Sequence, residues 1–242
     1  MSSDRRPGNS AAGFEQGDRR EVAARDVILF ALTFVAGAVD AISFLGLGQV
    51  FTANMTGNTI FMGIAAGSGR FLAAGRSAVA LLGFAAGALV AGKLVDPGKQ
   101  KIMWSRRITR VIVIETAFAV IFAVAWFYVR GRGGGLAIQG LIAISALSMG
   151  LQSGAARRLS VSGVSTVVVT STLTGLMAEL AALGAIGPNQ LRWTVVLISL
   201  FAGAAVSAII LSAARPYAGL LPAIMLCTVS YFAIRRFHNI PR

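Results

Sequence analysis

The sequence predicts an all-α, polytopic membrane helix bundle, with about six full spans plus two polar, interrupted helical segments that re-enter or break. Three observations predict it. Hydrophobic residues make up 56% of the 242 positions and charged residues only 13%, with a mean hydropathy of +0.75, against roughly 25% charged residues in a soluble domain. Apolar windows of about 18 to 20 residues, long enough to cross a hydrocarbon core of about 30 Å, recur along the chain. The basic residues gather at the ends of those windows rather than on one face. The net charge of +13 therefore implies a lipid bilayer with acidic headgroups as partner, and no nucleic acid.

Residues 1–26 carry Arg5, Arg6, Arg19, Arg20 and Arg25 among Gly, Ser, Asp and Glu. Without apolar periodicity they read as a disordered basic cytoplasmic tail. The apolar run after them is too long for a cleavable signal peptide, so a retained span is expected from Val27, "VILFALTFVAGAVDAISFLG". Next comes "VFTANMTGNTIFMGI", residues 50 to 64, with two Asn, three Thr and two Gly in fifteen positions. Spans start again near Ser77, Ile108 and Gly135; a second hydroxyl-rich segment covers 163–184; two further spans begin near Trp193 and Pro216. One transmembrane domain over 27–236 and a cytoplasmic C-terminal tail, 237–242, complete the chain.

Charge decides between crossing and re-entry. If both polar segments cross, 13 Lys and Arg lie inside and 9 outside. If both return to the side they entered, 17 lie inside and only Arg70, Arg76, Arg130, Arg132 and Arg215 outside, which the positive-inside rule favours. Six spans with both termini cytoplasmic follow. The order span, polar segment, span, span then occurs twice, over about 27–132 and 133–236, and the halves face opposite ways as a 3+3 inverted repeat. An offset of 114 pairs Thr52 with Thr166 and Thr56 with Thr170. Broken helices at matching places in inverted halves are how many secondary transporters build a midplane site.

In lipid a helix can break only where protein or trapped water satisfies the freed backbone groups. "TANMTGNT" has that chemistry: Gly57 permits a turn, Asn54 and Asn58 can cap, and Thr52, Thr56 and Thr59 can bond to preceding carbonyls. The plainer role of such residues is to glue helices together. Asp40 lies about 20 Å into the first span, and a carboxyl at that depth is costly enough to be a functional candidate. Glu115 is a weaker one, because Arg107 and Arg110 are near enough in sequence to pair with it. Gln152 closes the fourth span and could bond across helices. Glu179, nine residues after Thr170, need not share its depth. "AGAV" near Gly37, "GFAAGALVAG" from Gly83 and "FAGAAVSA" from Phe201 offer small faces for close helix packing.

Catalysis is not expected. No span holds a His for an intramembrane serine protease, and Asp40 is the only Asp in the spans, where an aspartyl protease needs two. There is no P-loop and no HExxH. Cys227 is the only cysteine, so an intramolecular disulfide or a CxxC metal site is excluded. No cofactor and no metal are expected.

"GAVDAISFLGLGQVFTANMTGNTIFMG", followed about a hundred residues later by "GLQSGAARRL" and "VVVTSTLTGL", resembles the YoaK family of bacterial multi-pass membrane proteins, defined by a domain of unknown function. Ser153 stands where that family often has Asn, and Ser171 where it often has Gly. The resemblance implies a bacterial inner (plasma) membrane location. The residues themselves lead to a small-solute or ion-coupled transporter, or channel-like permease. Asp40, Asn54, Thr56, Gly57, Asn58 and Thr59 would form one half of its site, and Gln152, Thr166, Thr170, Thr172 and Glu179 the other. The alternative is a non-transporting scaffold or assembly protein whose polar segments only pack helices. A membrane enzyme would need Glu179 and Asp40 close across a wet pocket. A homo-oligomer stays open.

Overall fold

The computed structural model describes residues 8–95, 104–129, 135–159, 169–183 and 188–237. Eight α-helices run through them: α1 Gly8–Gly46, α2 Met55–Gly67, α3 Phe71–Leu94, α4 Arg106–Val129, α5 Gly135–Ala156, α6 Val169–Leu183, α7 Pro188–Ala213 and α8 Leu220–Phe237. A 3-10 turn, Arg215–Tyr217, leads into α8. Six stretches are long and apolar enough to cross a membrane: Arg20–Gly46, Phe71–Leu94, Arg106–Val129, Gly135–Ala156, Asn189–Ala213 and Arg215–Phe237. With 13 residues, α2 reaches only about 20 Å, short of a hydrocarbon core; α6 is described over 15 residues.

The polar leader differs from its expected disorder, since α1 is already helical at Gly8. Extending a helix that the span has nucleated adds a hydrogen bond per residue fixed, whereas starting one is costly. "EVAARD" also contributes good helix formers. Tertiary contacts hold its end: Ala24 and Arg25 are buried. Asp26 Oδ1 takes Arg25 and Oδ2 takes Arg192 Nε of α7 at 2.9 Å.

Helix directions decide how often the chain crosses. On α1 and α7, Asp26 meets Arg192, and further along Gly37 meets Leu200 and Gly203 meets Phe34, so the two are parallel. On α4 and α8, Thr116 Oγ1 contacts the Leu226 carbonyl while Ser230 Oγ contacts that of Ile112, so these are antiparallel. Six alternating spans require both relationships. A crossing α6 would make α4 and α8 parallel, and a crossing α2 alone would make α1 and α7 antiparallel. Both short helices therefore return to the side from which the chain came.

Glycine sets the closest helix approaches. A Cβ on Gly37 would strike the Leu200 carbonyl oxygen, and one on Gly203 would strike that of Phe34. The α3–α5 crossing repeats the pattern, with Gly87 against the Leu147 carbonyl and Gly150 against that of Phe84. Such contacts let backbones pack at distances that any side chain would forbid. Between the two crossings lies a core that includes Leu32, Val35, Ile112, Met149, Leu226 and Val229. Outward positions such as Leu82, Leu89, Phe201 and Ile209 are exposed apolar side chains, as a lipid-facing surface requires.

Candidate functional site

The site begins where α1 ends. Gln49 N–H donates to the Phe44 carbonyl at 3.1 Å, and Gly48 and Gln49 both take positive φ, 93° and 61°, which turns the chain back. For a residue with a side chain, that conformation costs roughly 1–2 kcal/mol, so contacts outside the turn must hold it. Asp40 supplies them. Its Oδ1 accepts the backbone N–H groups of Thr52 and Ala53 at 2.8 and 2.7 Å. Since Asp40 lies six residues before the end of α1, these contacts draw the loop about 9 Å back along the helix.

Side chains complete the anchorage. Thr52, fully buried, accepts a hydrogen bond from Ser145 Oγ of α5 at 2.9 Å and shares one with Ser43 of α1 at 3.0 Å. Asn58 clamps Phe51 from both sides: Phe51 N–H donates to its Oδ1 at 2.9 Å, and its Nδ2 donates to the Phe51 carbonyl at 2.5 Å. Asn54 caps α2 by accepting the Gly57 N–H at 3.4 Å. From there α2 climbs back, so that Ile64 and Ala65 sit beside Gly48 and Gln49 around a space of about 250 Å³. The polarity of this segment is thus explained: its backbone leaves the helix inside the bundle, and its amides and hydroxyls replace the lost partners.

A second cavity, of about 320 Å³, opens at the start of α2. Asp40 and Ala36 of α1, Asn54, Thr56 and Gly57 at the start of α2, and Val169 and Thr170 at the start of α6 line it. The Asn54 backbone N–H is a third hydrogen-bonding neighbour of the Asp40 carboxyl. The N-terminus of α2, the positive end of its dipole, and the first described residues of α6 therefore face one polar space beside a carboxyl. Among the described residues no group of three or more His, Cys, Asp or Glu could hold a metal.

The expected site residues separate. Asp40, Asn54, Thr56, Gly57 and Thr170 line the cavity. Asn58 lies buried beneath it as the Phe51 clamp. Thr59 is exposed and bonds back to the Met55 carbonyl at 3.0 Å. Thr172 is buried, and Glu179, half-buried further along α6, is not on the cavity wall. Thr166 falls outside the described residues. Gln152 bonds across helices, its Nε2 donating to the Leu32 carbonyl at 3.1 Å, but away from the cavity.

Glu115 corrects the expectation. It is fully buried, and among the described residues neither carboxyl oxygen has a hydrogen-bond partner, so Arg107 and Arg110 do not pair with it. Arg107 and Arg110 occupy exposed positions of α4, whereas Glu115 lies on its buried side. Sequence reasoning also passed over Ser43 and Ser145, which seat Thr52. Small hydroxyl residues in apolar spans carry no signal until their partners are known.

A family model described as "Protein of unknown function (DUF1275)" matches residues 28–233. The chain is similar to the UPF0700 transmembrane protein YoaK of Bacillus subtilis (strain 168), with 35% identity over 159 residues, 66% of this chain and 68% of that protein. No solved structure matches.

Proposed function

From the premise that this multi-pass membrane protein belongs to the DUF1275 family, whose description assigns no activity, we propose that it is a permease for a small polar solute. One observation carries the reading: a cavity of about 320 Å³ joins the Asp40 carboxyl to the start of α2 and to Val169 and Thr170 of α6. That size lies at the lower end of ligand sites, which run from about 300 to 1,000 Å³. The N-terminus of α2 favours a solute's acceptor or anionic end, and Asp40 favours its donor end. The class of solute is thus one small enough to be enclosed and carrying both donors and acceptors.

Support for an inverted relation between the halves comes from their contacts. Thr116 and Ser230, 114 residues apart, share a hydrogen bond of 2.6 Å, and each also contacts the carbonyl one turn before the other. The α1–α7 glycine crossing corresponds to the α5–α3 crossing under the same exchange of halves. The excess of Lys and Arg at one set of span ends supports cytoplasmic termini in a bacterial plasma membrane.

Protein in liposomes should accelerate volume recovery after an osmotic step with urea, glycerol or glycine, read by light scattering. Thr56→Trp and Thr170→Trp, at exposed cavity-wall positions, should return the rate to that of empty liposomes without changing the melting temperature. Wild-type rates equal to empty liposomes across the panel would favour the alternative, a non-transporting scaffold. That second reading draws on the fact that Asn58 and one oxygen of Asp40 are engaged by backbone groups.

A further inference from the structure

We propose that Glu115 and Gln152 form a proton-binding site within the bundle, separate from the cavity beside Asp40. Glu115 is 0% and Gln152 1% exposed. Among the described residues, Glu115 Oε1 and Oε2 and Gln152 Oε1 all lack a hydrogen-bond partner. Gln152 Nε2 donates to the Leu32 carbonyl, which identifies the amide oxygen as the spare end.

The two side chains converge. Ser148 Oγ of α5 lies 3.4 Å from the Glu115 backbone carbonyl, so α5 passes Glu115 at the level of Ser148. Gln152 stands one turn beyond, about 6 Å, toward the start of the oppositely directed α4. Every Cα–Cβ bond leans toward the start of its own helix. Glu115 therefore leans toward the level of Gln152, and Gln152 leans back toward Glu115.

Three acceptor atoms without a donor cannot share a dry space at low cost. A carboxylate with neither oxygen paired would carry a desolvation penalty larger than any single hydrogen bond offsets. One proton, taken up from water, resolves the set: the acid O–H donates to Gln152 Oε1, and the other carboxyl oxygen needs no donor. A divalent cation would require about six oxygen ligands, which these residues do not supply. Nor does a charged neighbour answer the carboxyl. α5 contains no titratable residue, Asp26 of α1 is held by Arg25 and Arg192, and Arg235 of α8 bonds to exposed Tyr231. The next residue, Thr116, makes the α4–α8 contact with Ser230, so a charge gained or lost at Glu115 acts where the two halves meet. Use of this proton to drive solute rests on the permease reading; the site itself does not.

Infrared spectroscopy of the full chain in nanodiscs tests the site without any solute. The carbonyl-stretch band of a protonated carboxyl should be present at neutral pH, lost in Glu115→Gln and retained in Asp40→Asn. Gln152→Leu, which removes the acceptor, should move it to higher frequency. An absent band, a band that survives Glu115→Gln, or one that disappears when sodium chloride is added at constant pH would overturn the proposal. If Glu115→Gln yields no folded protein, Gln152→Leu decides, because a band that does not move then overturns it. Failure of every solute to cross liposomes leaves this band in place, so the two readings fail separately.

Discussion

Asp40 Oδ1 and the Ala53 backbone N–H, thirteen residues apart in the chain, lie 2.7 Å from each other inside the bundle. A carboxylate that accepts two adjacent backbone N–H groups makes charge-assisted bonds, stronger than neutral ones. Asp40→Ala leaves the buried Thr52 and Ala53 N–H groups without partners, at about 1–3 kcal/mol each. A clear drop in melting temperature in detergent is expected. Asp40→Asn keeps an acceptor oxygen and should fold, while losing solute flux in liposomes; equal stability losses for the two variants would remove the anchoring role.

Asn58 and Thr59 are adjacent in sequence and opposite in consequence. Asn58→Ala frees both backbone groups of Phe51, so a loss of roughly 2–4 kcal/mol is expected. Thr59→Ala removes only an exposed bond to the Met55 carbonyl and should stay within about 0.5 kcal/mol of wild type. Denaturant titration in detergent distinguishes them, and similar effects for both would mean that the clamp does not bear on stability.

The glycine crossings give a third expectation. Gly203→Ala and Gly87→Ala place a methyl group on the Phe34 and Leu147 carbonyl oxygens, so the paired helices must separate. Both variants should lose the monodisperse peak on size exclusion. Gly63→Ala, with nothing within 4 Å of the new carbon, is the matched control and should elute normally.

Topology is open to direct labelling. With Cys227→Ser as background, single cysteines at Arg70 and Arg107 should lie on opposite sides of the membrane. In intact cells a membrane-impermeant thiol reagent should label position 70 and spare position 107. Labelling of 107 alone would reverse the proposed orientation, and equal labelling of both would contradict six alternating spans.

Several features were legible in the residues alone. The six spans follow from apolar length, because hydrocarbon requires about 20 apolar residues whatever the neighbours are. The importance of "TANMTGNT" and Asp40 follows from the cost of polar groups in lipid, which is also independent of partners. The small-residue faces around Gly37, Gly87 and Gly203 were legible for the same reason, since a missing side chain permits close approach wherever the contact forms.

Tertiary structure alone decided which polar atoms meet. Nothing local distinguishes Asn58, which is buried as a clamp, from Thr59, which faces outward one residue later; the difference is set by the rotation of α2 against the loop. Nor could sequence spacing show that Glu115 is buried away from the exposed Arg107 and Arg110. Ion pairing depends on which helix face is buried, and that face is chosen by the packing of α4 between α5 and α8. The chain alone determined the solvent, the six long apolar spans and the presence of a break. Packing determined the site, because hydrogen-bond partners in a membrane bundle come from other helices, at distances in sequence that no local pattern encodes.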